Sequence, residues 1–276
     1  VEFTASSTEK PTVPARSPYP DLRQAWLLIL VSIGFQVAAA IPQGILTAVA
    51  GENSGLLPGG VMELFTYTLG IGLTIWFAFR KRGSRALTNQ PTSALTYVLA
   101  TLGLLAMGLL SEPIISALPA PDWLEELMKQ MFTKNLVLAA VLAAPILEEI
   151  LFRGVLLDGL LKHYSPTKAI LWSGFFFGFI HFIPAQALNA MFIGFALGWL
   201  YYRTRSLTLC IFLHFVNNLI SSLPLLFMEN LDLSENLTRT WLGSDSLYLS
   251  LLAVSALVLL GCYYQLNRSL PEPKQA

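Results

Sequence analysis

The stretch "APILEEILFRGVLLDG", Ala144 to Gly159, decides the fold. It sets Glu148, Glu149 and Arg153 into a run that is otherwise as apolar as a bilayer interior. Charged side chains at membrane depth are costly, so they face the inside of a helix bundle or an aqueous cavity and mark function. The stretch therefore predicts an inner helix of a membrane bundle, with its ionisable groups turned towards a site.

Outward from this stretch the chain keeps the same character. Of its 276 residues 54% are hydrophobic and 12% charged, whereas a soluble globular chain carries about a quarter charged residues. A helix needs roughly 20 mostly apolar residues to cross the hydrocarbon core. Runs of that kind predict spans at 25–48, 61–80, 94–111, 136–161, 167–183, 186–202, 207–227 and 246–265. The expected fold is an all-α polytopic membrane protein with about eight transmembrane helices in one bundle. A soluble helical protein would show polar faces, which these segments lack.

Residues 1–24 are polar and Pro-rich, without the basic start, short apolar core and small-residue cleavage site of a secretory signal. They read as a flexible cytoplasmic tail, 25–266 as one membrane domain and 267–276 as a second cytoplasmic tail. A net charge of zero gives no argument for nucleic acid, but its distribution gives an orientation. With the N-terminus inside, the inner segments hold thirteen basic residues, among them Lys10, Arg16, Arg80, Lys81, Arg82, Arg85, Lys162, Arg205 and Lys274; the outer loops hold Lys129, Lys134 and Arg239. The positive-inside rule then puts both termini in the cytoplasm, and a bacterial plasma (inner) membrane is the expected location.

The polar loops and ends carry smaller expectations. In "PDWLEELMKQMFTKN" Trp123, Leu124, Leu127, Met128, Met131 and Phe132 recur at helical spacing opposite charged residues. That pattern fits a helix lying on the membrane surface or an extension of the fourth span. "ENLDLSENLTRTWLGSD" reads as exposed connection, with an N-glycosylation pattern at Asn236 that matters only in a eukaryotic secretory setting. Arg80, Lys81, Arg82 and Arg85 read as a topology determinant, and Asp158 with Lys162 as a surface pair of small value. His163 is expected to be solvated, and Cys210 and Cys262 to be apolar packing residues.

The remaining polar groups fall in three spans. Glu149 and Arg153, four apart, stack as an ion pair, which leaves Glu148 without a basic partner on its own helix. "FFFGFIHF" sets Phe177 and His181 on one face, and "LHFVNNL" does the same for His214 and Asn218. Counted at about 1.5 Å per residue, Glu148, His181, His214 and Asn218 lie roughly 20, 21, 10 and 17 Å from the cytoplasmic side. A shared cavity between the fourth, fifth and seventh spans is thus allowed. An unpaired carboxylate in a low-dielectric cavity can take a proton from a water held by an imidazole. An Asn amide and a second imidazole can donate to a developing oxyanion. Two histidines and a carboxylate, Glu148, His181 and His214, would equally suit one divalent metal such as zinc with an open water position. Residue types alone leave both versions open. Gln186 and Asn189 either bridge helices or line a substrate groove.

These ordered motifs resemble those of the CAAX protease and bacteriocin-processing family of intramembrane endopeptidases. Its double glutamate followed by three residues and arginine matches Glu148, Glu149 and Arg153; its second motif matches Phe177 and His181, and its third His214 and Asn218. The resemblance covers about residues 94–227. It implies that Glu148 activates the hydrolytic water with His181, that His214 and Asn218 stabilise the oxyanion, and that Glu149 with Arg153 holds the helix in position. It also implies a membrane-associated peptide or protein substrate. Eukaryotic relatives cut prenylated CAAX tails; bacterial ones are linked to bacteriocin maturation, self-immunity and peptide signals. The family is often described as metal-dependent, although the same chemistry can be drawn without metal. The alternatives are a non-catalytic immunity or scaffold protein and a proton-coupled transporter. No inverted repeat supports the transporter.

Overall fold

The computed structural model describes residues 17–50, 60–119, 121–131, 133–227 and 236–271. The tail to residue 16, Phe132, most of the acidic stretch before Asn236 and the last five residues of the C-terminal tail lie outside the described residues, and with them Lys10, Arg16 and Lys274. Among the described residues every element is a helix: α1 Leu22–Ala50, α2 Val61–Arg82, α3 Ala94–Ile115 and α4 Asp122–Met131. A continuous run, α5, follows from Leu136 to Leu160, and then α6 Pro166–Phe179, α7 Pro184–Thr204, α8 Leu207–Phe227, α9 Leu237–Leu242 and α10 Asp245–Ser269.

Five of these, α1 over Leu22–Leu46, α2, α3, α8 and α10, are long and apolar enough to cross a membrane. The chain is an integral membrane protein. The other three expected spans take different forms. The fourth is α5, in which two widened segments, Ala139–Ala143 and Ile150–Leu157, flank a regular centre. The fifth, expected to run to 183, stops at Phe179 because Pro184 opens the next helix and forces Ile183 into extended backbone (φ −74, ψ 121). At 14 residues α6 is about 21 Å long, short of a roughly 30 Å hydrocarbon core. The sixth, α7, is full length.

Local sequence explains the ends. Arg80, Lys81 and Arg82 occupy the last turn of α2, where cations favour the carbonyl end, and Gly83 closes it at φ 73. Ser93 caps α3 by accepting the Thr96 N–H. In the acidic stretch the expected connection is instead a short helix, α9, capped by Asn236, whose Oδ1 accepts the Arg239 N–H at 2.9 Å and whose Nδ2 donates to the Tyr248 hydroxyl at 2.7 Å. Both ends of that amide are committed to the fold.

Burial runs inside out from α5. Every residue from Leu151 to Leu160 is buried, whereas α1 and α10 expose Leu30 (60%) and Leu257 (71%), as lipid-facing helices do. Helices α6 and α7 pack together through glycines: a Cβ on Gly194 would stand 2.8 Å from the Gly174 Cα. Small residues of this kind let membrane helices approach closely. The helix expected in "PDWLEELMKQM", on the membrane surface or as an extension of the fourth span, is α4, which ends at Met131 before α5 begins at Leu136; it buries Leu124 and Met128 with Ile183 and leaves Trp123 exposed.

At the basic end one expectation is corrected and one extended. Asp158 is not a surface residue: its side chain is 7% exposed and meets Lys162 at 2.7 Å, Arg82 at 3.1 Å and Arg205 at 3.4 Å. Helix α5 runs beneath the ends of α2 and α7, so its last turn is covered rather than solvated. His163, expected to be solvated, is exposed but bonded, its Nε2 lying 2.7 Å from the Pro18 carbonyl. The Leu22 N–H donates to the Tyr164 hydroxyl. The chain is thus docked from Pro18, ahead of the first expected span.

Candidate active site

The site is built on the irregular part of α5. Proline 145 has no N–H, so it cannot bond a carbonyl in the preceding turn. The turn before it opens to i→i+5 spacing: the Ala144 N–H reaches the Ala139 carbonyl. This strands the Ala140 carbonyl, whose five-residue partner would be Pro145. Asn218 of α8 fills the gap, its Nδ2 donating to that carbonyl at 2.8 Å. A second widened segment, Ile150–Leu157, follows, with the Asp158 N–H reaching the Arg153 carbonyl. Glu148 and Glu149 therefore sit on a short regular segment, Ala144–Glu149, between two widened ones. Such π segments recur at functional sites.

Glu149 and Arg153 form the expected ion pair, at 2.7 Å and with both side chains fully buried. The pair is not self-contained. Glu149 Oε1 also accepts from His214 Nδ1 at 2.9 Å. Arg153 also donates through Nη2 to the Gly194 carbonyl at 3.2 Å and lies 4.6 Å from the Phe177 ring centre. One charge pair thereby joins α5, α7 and α8 and rests on α6.

Glu148 is 6% exposed and has neutral partners. The Tyr67 hydroxyl of α2 donates to its Oε1. Its Oε2 has no hydrogen-bond partner among the described residues and stands 3.9 Å from His214 Nε2. That spacing is too long for a direct bond and short enough for one water to touch both atoms. Sequence pointed Glu148 at His181; the structure brings His214 beside it instead, because His214 is drawn in by Glu149.

His181 lies two residues beyond the end of α6. Its Nδ1 is 2.7 Å from the Phe177 carbonyl, which can only accept, so Nδ1 carries the proton and the lone pair sits on Nε2. The same reasoning fixes neutral His214, whose Nδ1 faces a carboxylate. Both imidazoles pack edge-on to the Phe177 ring, with centroids 5.3 and 5.5 Å away. Next to His181, Phe182 is held at φ 58 with its ring exposed, a conformation that costs a bulky residue about 1–3 kcal/mol.

All four expected site residues, Glu148, His181, His214 and Asn218, line one cavity of about 490 Å³, as do Tyr67 and Phe177. It occupies one end of the bundle, between the first halves of α2, α5 and α7 and the second half of α8. Backbone at membrane depth is tolerated in the α6–α7 turn because that turn lines the cavity. Sequence reading missed Tyr67. A hydroxyl two turns into an apolar span was the signal, but nothing in α2 says which helix it faces. The expected metal set fits poorly: Glu148 and His214 approach each other, but no three His, Cys, Asp or Glu among the described residues converge at ligand spacing.

Comparison with known proteins gives one finding. Residues 131–220 match the family model described as Type II CAAX prenyl endopeptidase Rce1-like, and this segment runs from the last residue of α4 into the second half of α8, holding every motif residue named above. No curated protein and no solved structure matches the chain.

Proposed function

We propose that this chain, which carries a domain of the Rce1-like CAAX endopeptidase family over residues 131–220, is an intramembrane endopeptidase cutting a membrane-associated peptide or protein. The observation that carries this reading is the buried, unpartnered Oε2 of Glu148, 3.9 Å from the Nε2 lone pair of His214 in a peptide-sized cavity.

A water donating one proton to each of these acceptors keeps a lone pair for the scissile carbonyl. Glu148 takes the proton as the C–O bond forms. His214 is oriented by Glu149, whose own charge is balanced by Arg153, so the ring keeps its tautomer as the water reacts. Tyr67 holds the Glu148 carboxylate in place. Asn218 Nδ2 has a second proton beyond the one given to Ala140 and can donate to the oxyanion. His181, which also packs on Phe177, offers Nε2 and, once protonated, donates to the oxyanion or the leaving amine. The roles inferred from the motifs are thereby kept for Glu148 and Asn218 and exchanged between the two histidines. The basic end of the bundle, with Arg80, Lys81, Arg82, Arg85 and Arg205, is assigned to the cytoplasm.

The test compares Glu148→Gln, His181→Ala and His214→Ala with wild type for membrane expression, folding and products formed from the host membrane peptidome. Glu148→Gln is expected to lower turnover by at least about a thousandfold without loss of folded protein. Persistence of the products in all three folded variants would overturn the protease reading and favour a scaffold. Metal content of purified wild-type protein, followed by chelation, decides whether water activation needs an ion.

A further inference from the structure

The cavity has a second layer of polar groups that the hydrolytic step does not use. Gln36 of α1 and Gln186 and Asn189 of α7 line it, half-buried, and their amides have no hydrogen-bond partner among the described residues. Gln36 gets there by crossing Gly70 of α2, where a Cβ would stand 1.9 Å from its Oε1. Three partnerless amides facing one space in a bundle that is otherwise apolar amount to a polar wall. Each amide both donates and accepts, which is the pattern of a peptide backbone.

The charge in the cavity is as informative. Glu148 is the only Asp, Glu, Lys or Arg in its lining among the described residues. Arg153 is sealed behind Glu149, and Lys134, two residues before the lining residue Leu136, is exposed outside. A substrate carboxylate brought into this space would meet no cation, whereas an uncharged stretch of chain would meet complementary amides.

We propose that Gln36, Gln186 and Asn189 form a neutral amide wall that holds an extended, uncharged internal peptide segment by its backbone, so that a free C-terminal carboxylate is not what the site reads. This deepens the protease reading, on which it rests. Specificity at the cavity then comes from shape and backbone exposure, and cleavage falls within a chain.

The experiment uses the full chain in liposomes as the Glu148→Gln variant, which holds peptide without turning it over. The probe is a mixed pool of synthetic apolar peptides, each made with a free C-terminal carboxylate and again as the C-terminal amide, with captured peptides quantified by mass spectrometry. The two forms should be captured equally within about twofold. Adding Gln186→Leu and Asn189→Leu, which keep the volume roughly constant, should lower capture of both forms by about tenfold. Adding Gln186→Arg instead should create a preference of about tenfold for the carboxylate form. A preference of about tenfold or more for the carboxylate form before any arginine is added, or undiminished capture by the leucine variant, would overturn the proposal. Because capture is read without turnover, an absence of cleavage by wild type would sink the protease reading alone.

Discussion

Two carboxylates on α5 are almost equally buried, Glu148 at 6% and Asp158 at 5%, yet their surroundings are opposite. Asp158 meets three cations, Arg82, Lys162 and Arg205, from three parts of the chain. Glu148 meets a phenol and, at a distance, an imidazole. A buried carboxylate matched by cations is a tie between helices. One matched only by neutral donors keeps lone pairs for something that enters. Glu149, next in sequence to Glu148, belongs with Asp158 in this respect, so burial alone does not separate the fastening groups from the working one.

The largest effect is expected at Glu149. Glu149→Gln leaves Arg153 charged and sealed with no counter-ion, at a cost of about 3–5 kcal/mol. A thermal unfolding midpoint in detergent should fall sharply, while a joint Glu149→Leu, Arg153→Met variant recovers part of the loss. If the single variant unfolds no earlier than wild type, the fastening role is wrong. Asp158→Asn comes next, at about 1–3 kcal/mol, with cleavage of a given peptide by the folded fraction changed less than about twofold. A turnover defect larger than the stability defect would break the comparison from the other end. The smallest effect is expected for Tyr67→Phe: turnover lowered by about tenfold through loss of one hydrogen bond to Glu148, with the unfolding midpoint unmoved. Unchanged turnover would show that Glu148 needs no orienting donor.

Much of this was legible in the sequence because it depends on spacing along one helix. The i, i+4 relation of Glu149 to Arg153 survives even in a widened segment, and the apolar runs mark the long helices. What could not be read was partnership across helices. His214 beside Glu149, Tyr67 beside Glu148 and the three cations around Asp158 are set by which helix faces turn together, and α2 carries no periodic mark that would single out Tyr67. The end of the fifth span at Phe179 was written in Pro184, but the apolar run through Ile183 hid it. The widened turns also left little local trace beyond Pro145 itself.

That proline gives Asn218 two employments. Its amide completes the backbone of α5 at Ala140 and at the same time borders the cavity. Any change at Asn218 therefore alters the path of the helix that carries Glu148 as well as the chemistry beside it. Restoring an N–H at position 145 would free the Asn218 amide from the backbone but not from the cavity, so the two duties separate at one residue and stay joined at the other.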